Sequence, residues 1–340
     1  MQTSLKVIKR RPKDRSRPEG LAGRLNIKLR SCSLKLGDPC DSYLHVGTET
    51  LRISFDKSLL QYTTGAKGRR ELEELVNKIS KTISLEHKQF SATRVGLVIP
   101  GGSVKGNIRS RLELSFIPKN DEVRSCFITA KNPIDSSARG TQGWRHRLIW
   151  QQALSVDREE ACSCEVDWED CEVCLTCDLF GSAGLQGLIS FEDLVGVNTS
   201  PVPLDLPTGE KLEAVAPGSH FKGAVTFKNL EPVELGLLLY GMGIRNSRVG
   251  RPVLFGKLKY RRDLPYIFGV VRYELENVEL APFSQTLQIG NVRLPPSTSL
   301  EGEKLDEAVT QLVDLVIGSF SGELIDVDEV GAVEQLTAQV

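Results

Sequence analysis

The chain has 340 residues, 40% of them hydrophobic and 26% charged, with a formal net charge of −1. That is ordinary for a globular protein, long enough for one large domain or two modest ones with a sound core. No apolar run approaches the roughly 20 residues needed to cross a bilayer, and the basic N-terminus MQTSLKVIKRRPKDRSRPEG lacks the apolar core of a secretory signal, so a cytoplasmic protein with no membrane partner is expected.

Residues 1–30 hold ten Lys or Arg against Asp14 and Glu19, and residues 300–340 hold ten Asp or Glu against Lys304. Residues 1–22 therefore read as a basic arm able to bind nucleic acid, and 300–340 as a helical, acidic tail able to dock on a basic neighbour; two solvated ends would look the same. Between them, GRLNIKLR (23–30) alternates Leu25, Ile27 and Leu29 against basic and polar residues, the pattern of a half-buried strand. A second extended stretch runs from Leu44 to about Phe55. Leu72, Leu75, Val76, Ile79 and Ile83 recur at helical spacing over 69–85. VGLVIP (95–100) is a short strand, and VKGNIRSRLEL after Gly101 and Gly102 is a helix that Ser103 can cap. Residues 117–160 are irregular, GLISFEDL (187–194) is a strand, and 197–211 is a Pro-rich loop or extended excursion. HFKGAVTFKNL (220–230) alternates again, Pro232 opens a short buried helix, an Arg-rich loop follows, and 268–276 is a last strand. The order strand, helix, strand, strand, helix, strand is that of a ferredoxin-like α+β fold.

Two stretches carry chemistry. In IPGGSVKGNIRSR (99–111) a Gly-Gly turn precedes a helix, whose N–H groups and dipole favour an anion. Lys105 and Arg109 are four residues apart and so share a face. The glycine spacing and Lys-Ser/Thr pair of a P-loop are missing. The second stretch is the run Cys162-x-Cys164-x6-Cys171-x2-Cys174-x2-Cys177, which holds five of the eight cysteines. Its overlapping C-x2-C units predict a structural Zn2+ site at Cys164, Cys171, Cys174 and Cys177, with Cys162 as competitor and His146 as a distant one. An iron–sulfur cluster is the weaker alternative.

IPGGSVKGNIR resembles the signature of the RAMP family, a Gly-Ser-Ser-Leu-Lys-Gly run before an Arg. LHVG (44–47), CLTCDLFGSAGLQGLISFEDL (174–194) and GRPVLFGKLKY (250–260) resemble three further family segments in the same order, so the likeness frames residues 23–277. It is nearest to the backbone subunits of type III CRISPR effector complexes. The resemblance implies a ferredoxin-like (RRM-like) RAMP domain over 23–299, with insertions at about 56–95, 117–180 (the cysteine-rich, zinc-binding one) and 196–215. It implies guide RNA (crRNA) phosphates on Gly102, Ser103, Lys105, Gly106, Arg109, Arg251 and Lys257, with a further contact at His45, where a structural histidine is the competing reading. By the same likeness Asp56, in RISFDKSLL, stands where the target-cutting subunits carry their aspartate, acting with Mg2+ or a similar divalent ion. The spacing to Asp56 needs a gap, and the family's long thumb hairpin is short and Pro-rich here, with Leu204, Leu206 and Pro207 left as an apolar wedge. The expected activity is antiviral: binding guide RNA, cleaving complementary target RNA as an endoribonuclease, and contacting neighbouring RAMP subunits of the ribonucleoprotein. A non-catalytic structural subunit and a stand-alone enzyme processing guide precursors remain open alternatives.

Overall fold

The computed structural model describes residues 5–17, 19–32, 40–47, 51–54, 68–82, 84–127, 143–155, 158, 161–165 and 170–338. The elements that position the site are, in chain order, β1 (Leu21–Ser31), α1 (Arg69–Thr82), β2 (Gly96–Ile99), α2 (Gly101–Ser115), β3 (Ile189–Phe191), β4 (Leu194–Val197), β5 (Pro201–Asp205), β6 (Lys211–Val215), β7 (His220–Leu230), α3 (Pro232–Gly241), β8 (Val270–Leu280), α4 (Gly302–Ser319) and α5 (Glu329–Ala338).

The alternation of β1 places Leu25, Ile27 and Leu29 at 0% exposure. β1 lies centrally between two long antiparallel partners, with Leu29 opposite Phe221 of β7 and Tyr273 of β8. The main sheet runs β8–β1–β7–β4–β2 through its middle, with β3 also paired to β7. Its outer face is charged and laterally paired: Arg24 with Glu192 at 3.2 Å, and Lys28 with Glu274.

Two crossover helices cover the inner face, so the class is α+β. α2 connects β2 to the β3 segment and buries Val104, Ile108 and Leu112 at 0% exposure, one side of a helix by their spacing of four. α3 links β7 to β8 and starts on Pro232 within a capping box of Glu231 and Glu234. The helices touch closely at Gly241, where an added Cβ would lie 2.8 Å from Ile108 Cγ2 and 2.9 Å from Leu112 Cγ. α4 packs on the other flank of α3.

Three regions differ from the expectations above. The arm is not free: Arg10 meets Asp178 at 2.9 Å and Glu234 at 2.6 Å, Lys13 meets Glu234 at 2.5 Å, and Arg15 meets Asp178 at 2.7 Å. Asp178 and Glu234 have side chains at 0% and 2% exposure, so these cations compensate buried charge instead of facing RNA. The Pro-rich stretch is a hairpin of β5 and β6, and β6 continues in parallel beside Ser84–Lys88. Its Leu204 and Leu206 are no wedge: they are buried against Leu212, Ala214 and Phe268. The acidic tail folds back, with Val330 and Val333 buried beside Leu254 and Val270. Among the described residues no helix is long and apolar enough to cross a membrane.

Candidate functional site

α2 has four distinct aspects because its neighbours differ on each side. Gly101 is buried where a Cβ would fall 2.3 Å from Phe191 O, so the strand comes too close for any side chain. Its N–H donates to Asp193 Oδ1 at 2.8 Å. The helix thus begins two residues before Ser103, which caps nothing, and the anion expected at its N-terminus is supplied by the chain's own carboxylate. Gly102, Ser103, Gly106 and Ser110 are exposed, and a Cβ on Gly102 or Gly106 would meet nothing within 4 Å. Glycine in a helix interior costs about 0.5–1 kcal/mol relative to alanine, and no contact among the described residues requires it at these two positions.

This bare face borders a cleft of about 490 Å³ lined by His45, Gly47, Ser103, Gly106, Lys257 and Tyr260, among others. A larger cleft of about 810 Å³ lies on its far side, shares Gly106 and Ser110, and takes in Lys105. Lys105 is half-buried, makes no ion pair among the described residues, and has its pKa lowered by burial and then by the nearby Arg109 guanidinium. It is the cation best placed to meet an incoming anion.

The other expected RNA contacts are engaged. Arg109, four residues on, points inward: Nε donates to Glu113 Oε1 at 2.6 Å, Nη1 to Gly181 O at 2.5 Å and Nη2 to Cys177 Sγ at 3.2 Å. It lines the 810 Å³ cleft beside Lys105 but is 4% exposed with its guanidinium committed to these three acceptors, which corrects the expectation that it and Lys105 act together on RNA. Lys257 shares Glu210 with Lys88, at 3.0 and 2.6 Å. Arg251 reaches Asp326 at 2.5 Å and Val327 O at 2.8 Å. His45 is 2% exposed and its Nδ1 contacts Glu213 O at 2.5 Å. Burial pushes its pKa below the ordinary histidine range despite that contact, so it sits as a neutral, satisfied ring with Nδ1–H donating. Asp56 lies outside the described residues. Sequence reasoning missed Arg111 and Glu329, a buried pair at 2.8 Å on the cleft wall; the tail's acidic composition was their only signal.

The thiols that converge are Cys126, Cys162, Cys174 and Cys177, all buried, with sulfurs within 4.8 Å of one another. Cys126 Sγ lies 3.4 Å from Cys177, 3.5 Å from Cys174 and 3.9 Å from Cys162. A tetrahedral centre with arms of about 2.3 Å has sulfur–sulfur edges of about 3.8 Å, so the quartet fits a metal ion of that kind. Donors are already aimed at the sulfurs: Cys126 N–H at Cys174 (3.4 Å), Cys174 N–H at Cys162 (3.3 Å) and Arg109 at Cys177. Such donors favour thiolate over thiol. The S–H groups of Cys126, Cys162 and Cys177 push the Cys174 pKa down. Two members differ from the expected set. Cys164 and Cys171 are joined to each other as a disulfide, and Cys162 and Cys126 complete the quartet. His146 is not a member of it: it lies on the cleft with Nδ1 2.7 Å from Tyr260 Oη.

Comparison with known proteins gives a match to the RAMP superfamily over residues 39–290. Among solved structures, Csm3 of Methanopyrus kandleri aligns with a TM-score of 0.35 at 11% identity, covering 89% of this chain and 99% of its own. Csc2 of Thermofilum pendens aligns with a TM-score of 0.32 at 13% identity, covering 94% of this chain and 82% of its own. No curated protein matches the sequence.

Proposed function

The chain belongs to the RAMP superfamily, and on that premise we propose that it is a subunit of a type III CRISPR ribonucleoprotein that binds the guide RNA backbone along α2. The observation that carries this is the bare face of Gly102, Ser103, Gly106 and Ser110 beside Lys105, which makes no ion pair among the described residues. Two glycines that no internal contact needs leave room for a sugar–phosphate chain to lie against the helix, and Lys105 supplies the charge. Such contacts hold RNA without reading its bases, as a subunit serving many guides requires. The 490 Å³ cleft, with Lys257 on its wall, extends the track. The strand order β8–β1–β7–β4 with α2 and α3 as crossovers supports the ferredoxin-like reading of the domain.

Zinc is the metal best suited to four buried thiolates in a closed set, where it would be structural and would fix a loop-rich insertion. By the family resemblance, Asp56 would hold Mg2+ or a similar divalent ion and cleave complementary target RNA, as antiviral defence within the complex and beside neighbouring RAMP subunits: the 2′-OH would attack the adjacent phosphorus, the 5′-oxygen would leave as a hydroxyl, and a 2′,3′-cyclic phosphate would remain.

The test has two arms. Lys105→Ala should weaken single-stranded RNA binding about equally across sequences and reduce the salt slope by about one. Asp56→Ala in the reconstituted complex should remove divalent-dependent cuts in a guide-complementary RNA and leave guide binding intact. RNA affinity unaffected by Lys105→Ala would overturn the α2 track, and cuts that persist would make this a structural subunit.

A further inference from the structure

The C-terminal segment crosses the Arg-rich surface beside the cleft and places carboxylates at four arginines. Asp326 takes Arg245 at 2.8 Å and Arg251 at 2.5 Å, Glu329 takes Arg111, and Glu334 takes Arg262. The carbonyl of Val327 accepts a further bond from Arg251 Nη2 at 2.8 Å. The segment is anchored elsewhere by main-chain bonds, Ile117 N–H to Glu323 O and Ile325 N–H to Ser115 O, both 2.9 Å, and by the buried Val330 and Val333.

These pairs lie at two depths. Arg111 and Glu329 have side chains at 4% and 6% exposure, and Glu329 also accepts from the Leu254 N–H at 2.7 Å. Breaking that pair would strand a buried charge, so it is part of the fold. Arg245 is 15% exposed and also donates to Tyr240 O and Ile244 O at 2.8 Å; the shallow pair is that of Asp326, 50% exposed, with Arg251, 26% exposed. A wet pair of this kind is worth little and exchanges readily for another anion. A carboxylate accepting from two guanidinium groups stands in for a phosphate, which these forks also bind.

We propose that Asp326 is an internal competitor for RNA: it occupies Arg245 and Arg251 in the free chain, and an RNA phosphate displaces it when the backbone continues past α2. This rests on the RNA-binding reading above and adds its regulation. Arg251, which reads as an RNA contact in the sequence and as a spent ion pair in the structure, is then both, in different states. Segment 323–338 stays docked by Val330, Val333 and Glu329 during the exchange, so only the Asp326 side chain and the Arg251 guanidinium need to move.

The experiment measures binding of a labelled oligouridylate to the full-length chain, by anisotropy over a salt series, for wild type, Asp326→Asn, Arg251→Ala, the double variant and Lys105→Ala. Asp326→Asn should bind about two- to fivefold more tightly, the release of a competing exposed ion pair, with a steeper salt dependence. Arg251→Ala should weaken binding, and the double variant should show none of the gain. The gain is a readout that misfolding cannot imitate, and matching thermal melts of Asp326→Asn and wild type would confirm an intact fold. If Lys105→Ala weakens binding while Asp326→Asn binds no tighter than wild type, the competitor falls and the α2 reading stands. If neither wild type nor Asp326→Asn binds, both fall.

Discussion

Arg109 is where the sequence and the structure assign different jobs, and replacing it separates them. Arg109→Met keeps most of the side-chain length and removes the guanidinium. Three donors vanish, from Glu113, Gly181 O and Cys177, and the Glu113 carboxylate, 5% exposed, loses its Arg109 ion pair. Removing one partner of a buried pair costs about 3–5 kcal/mol, a large share of the ~5–15 kcal/mol by which a typical domain is stable. With a urea slope of about 3 kcal/mol per molar, the unfolding midpoint should drop by about 1 M or more. RNA affinity of the fraction that remains folded should stay near wild type, because Arg109 does not reach the exposed face. Lys105→Ala should do the opposite, with a near-unchanged midpoint and weakened binding. A stable Arg109→Met protein that has lost RNA affinity would place the guanidinium on RNA and refute the assignment.

Further expectations concern the thiols and the cleft. Cys126→Ser should lose zinc on dialysis that wild type survives, measured by metal analysis and by the melting temperature, whereas Cys164→Ser should retain it; the reverse result would restore the quartet expected from spacing. Burial pushes the His146 pKa down to about 4 from an ordinary 6.5. The unfolded chain then binds more protons between those two values, so this group's contribution is fully present above about 6.5 and is lost as pH falls toward about 4. Thermal melts across that window should show the loss, and His146→Gln should flatten it; a parallel pH dependence in the variant would remove His146 as its source.

What could be read from the sequence was what local physics decides. β1 and β7 alternate because one face meets the core and the other meets water, and a period of two needs no knowledge of partners. α3 announces itself through Pro232 and the Glu231–Glu234 box. Long-range pairing left no such trace. Cys126 joins Cys177 across 51 positions and Arg10 joins Glu234 across 224, so no spacing motif could contain them. The β5–β6 hairpin was hidden for another reason: Pro201 and Pro203 are tolerated only because β5 is the outer strand of its sheet and one side of it needs no partner. Composition misled at both ends, since a cluster of like charge signals an exposed arm only when its counter-charges are not elsewhere in the same chain.

α2 gathers these observations into one mechanical argument. Its three cations go in three directions: Lys105 outward, Arg109 to the thiol centre, Arg111 to Glu329 and to Gly241 O at 2.6 Å. The two buried arginines fasten the helix to the cysteine-rich insertion on one side and to the C-terminal segment on the other, while Ile108 and Leu112 fix its depth against α3. Among the described residues, the glycine and serine face alone remains unattached. A surface held this way needs no ordering when a flexible chain arrives, so a few weak backbone contacts retain more of their free energy as affinity. That explains why so much buried charge surrounds a face that itself carries almost none. The charge fixes the helix, and the bare face leaves the room that the proposed RNA track needs.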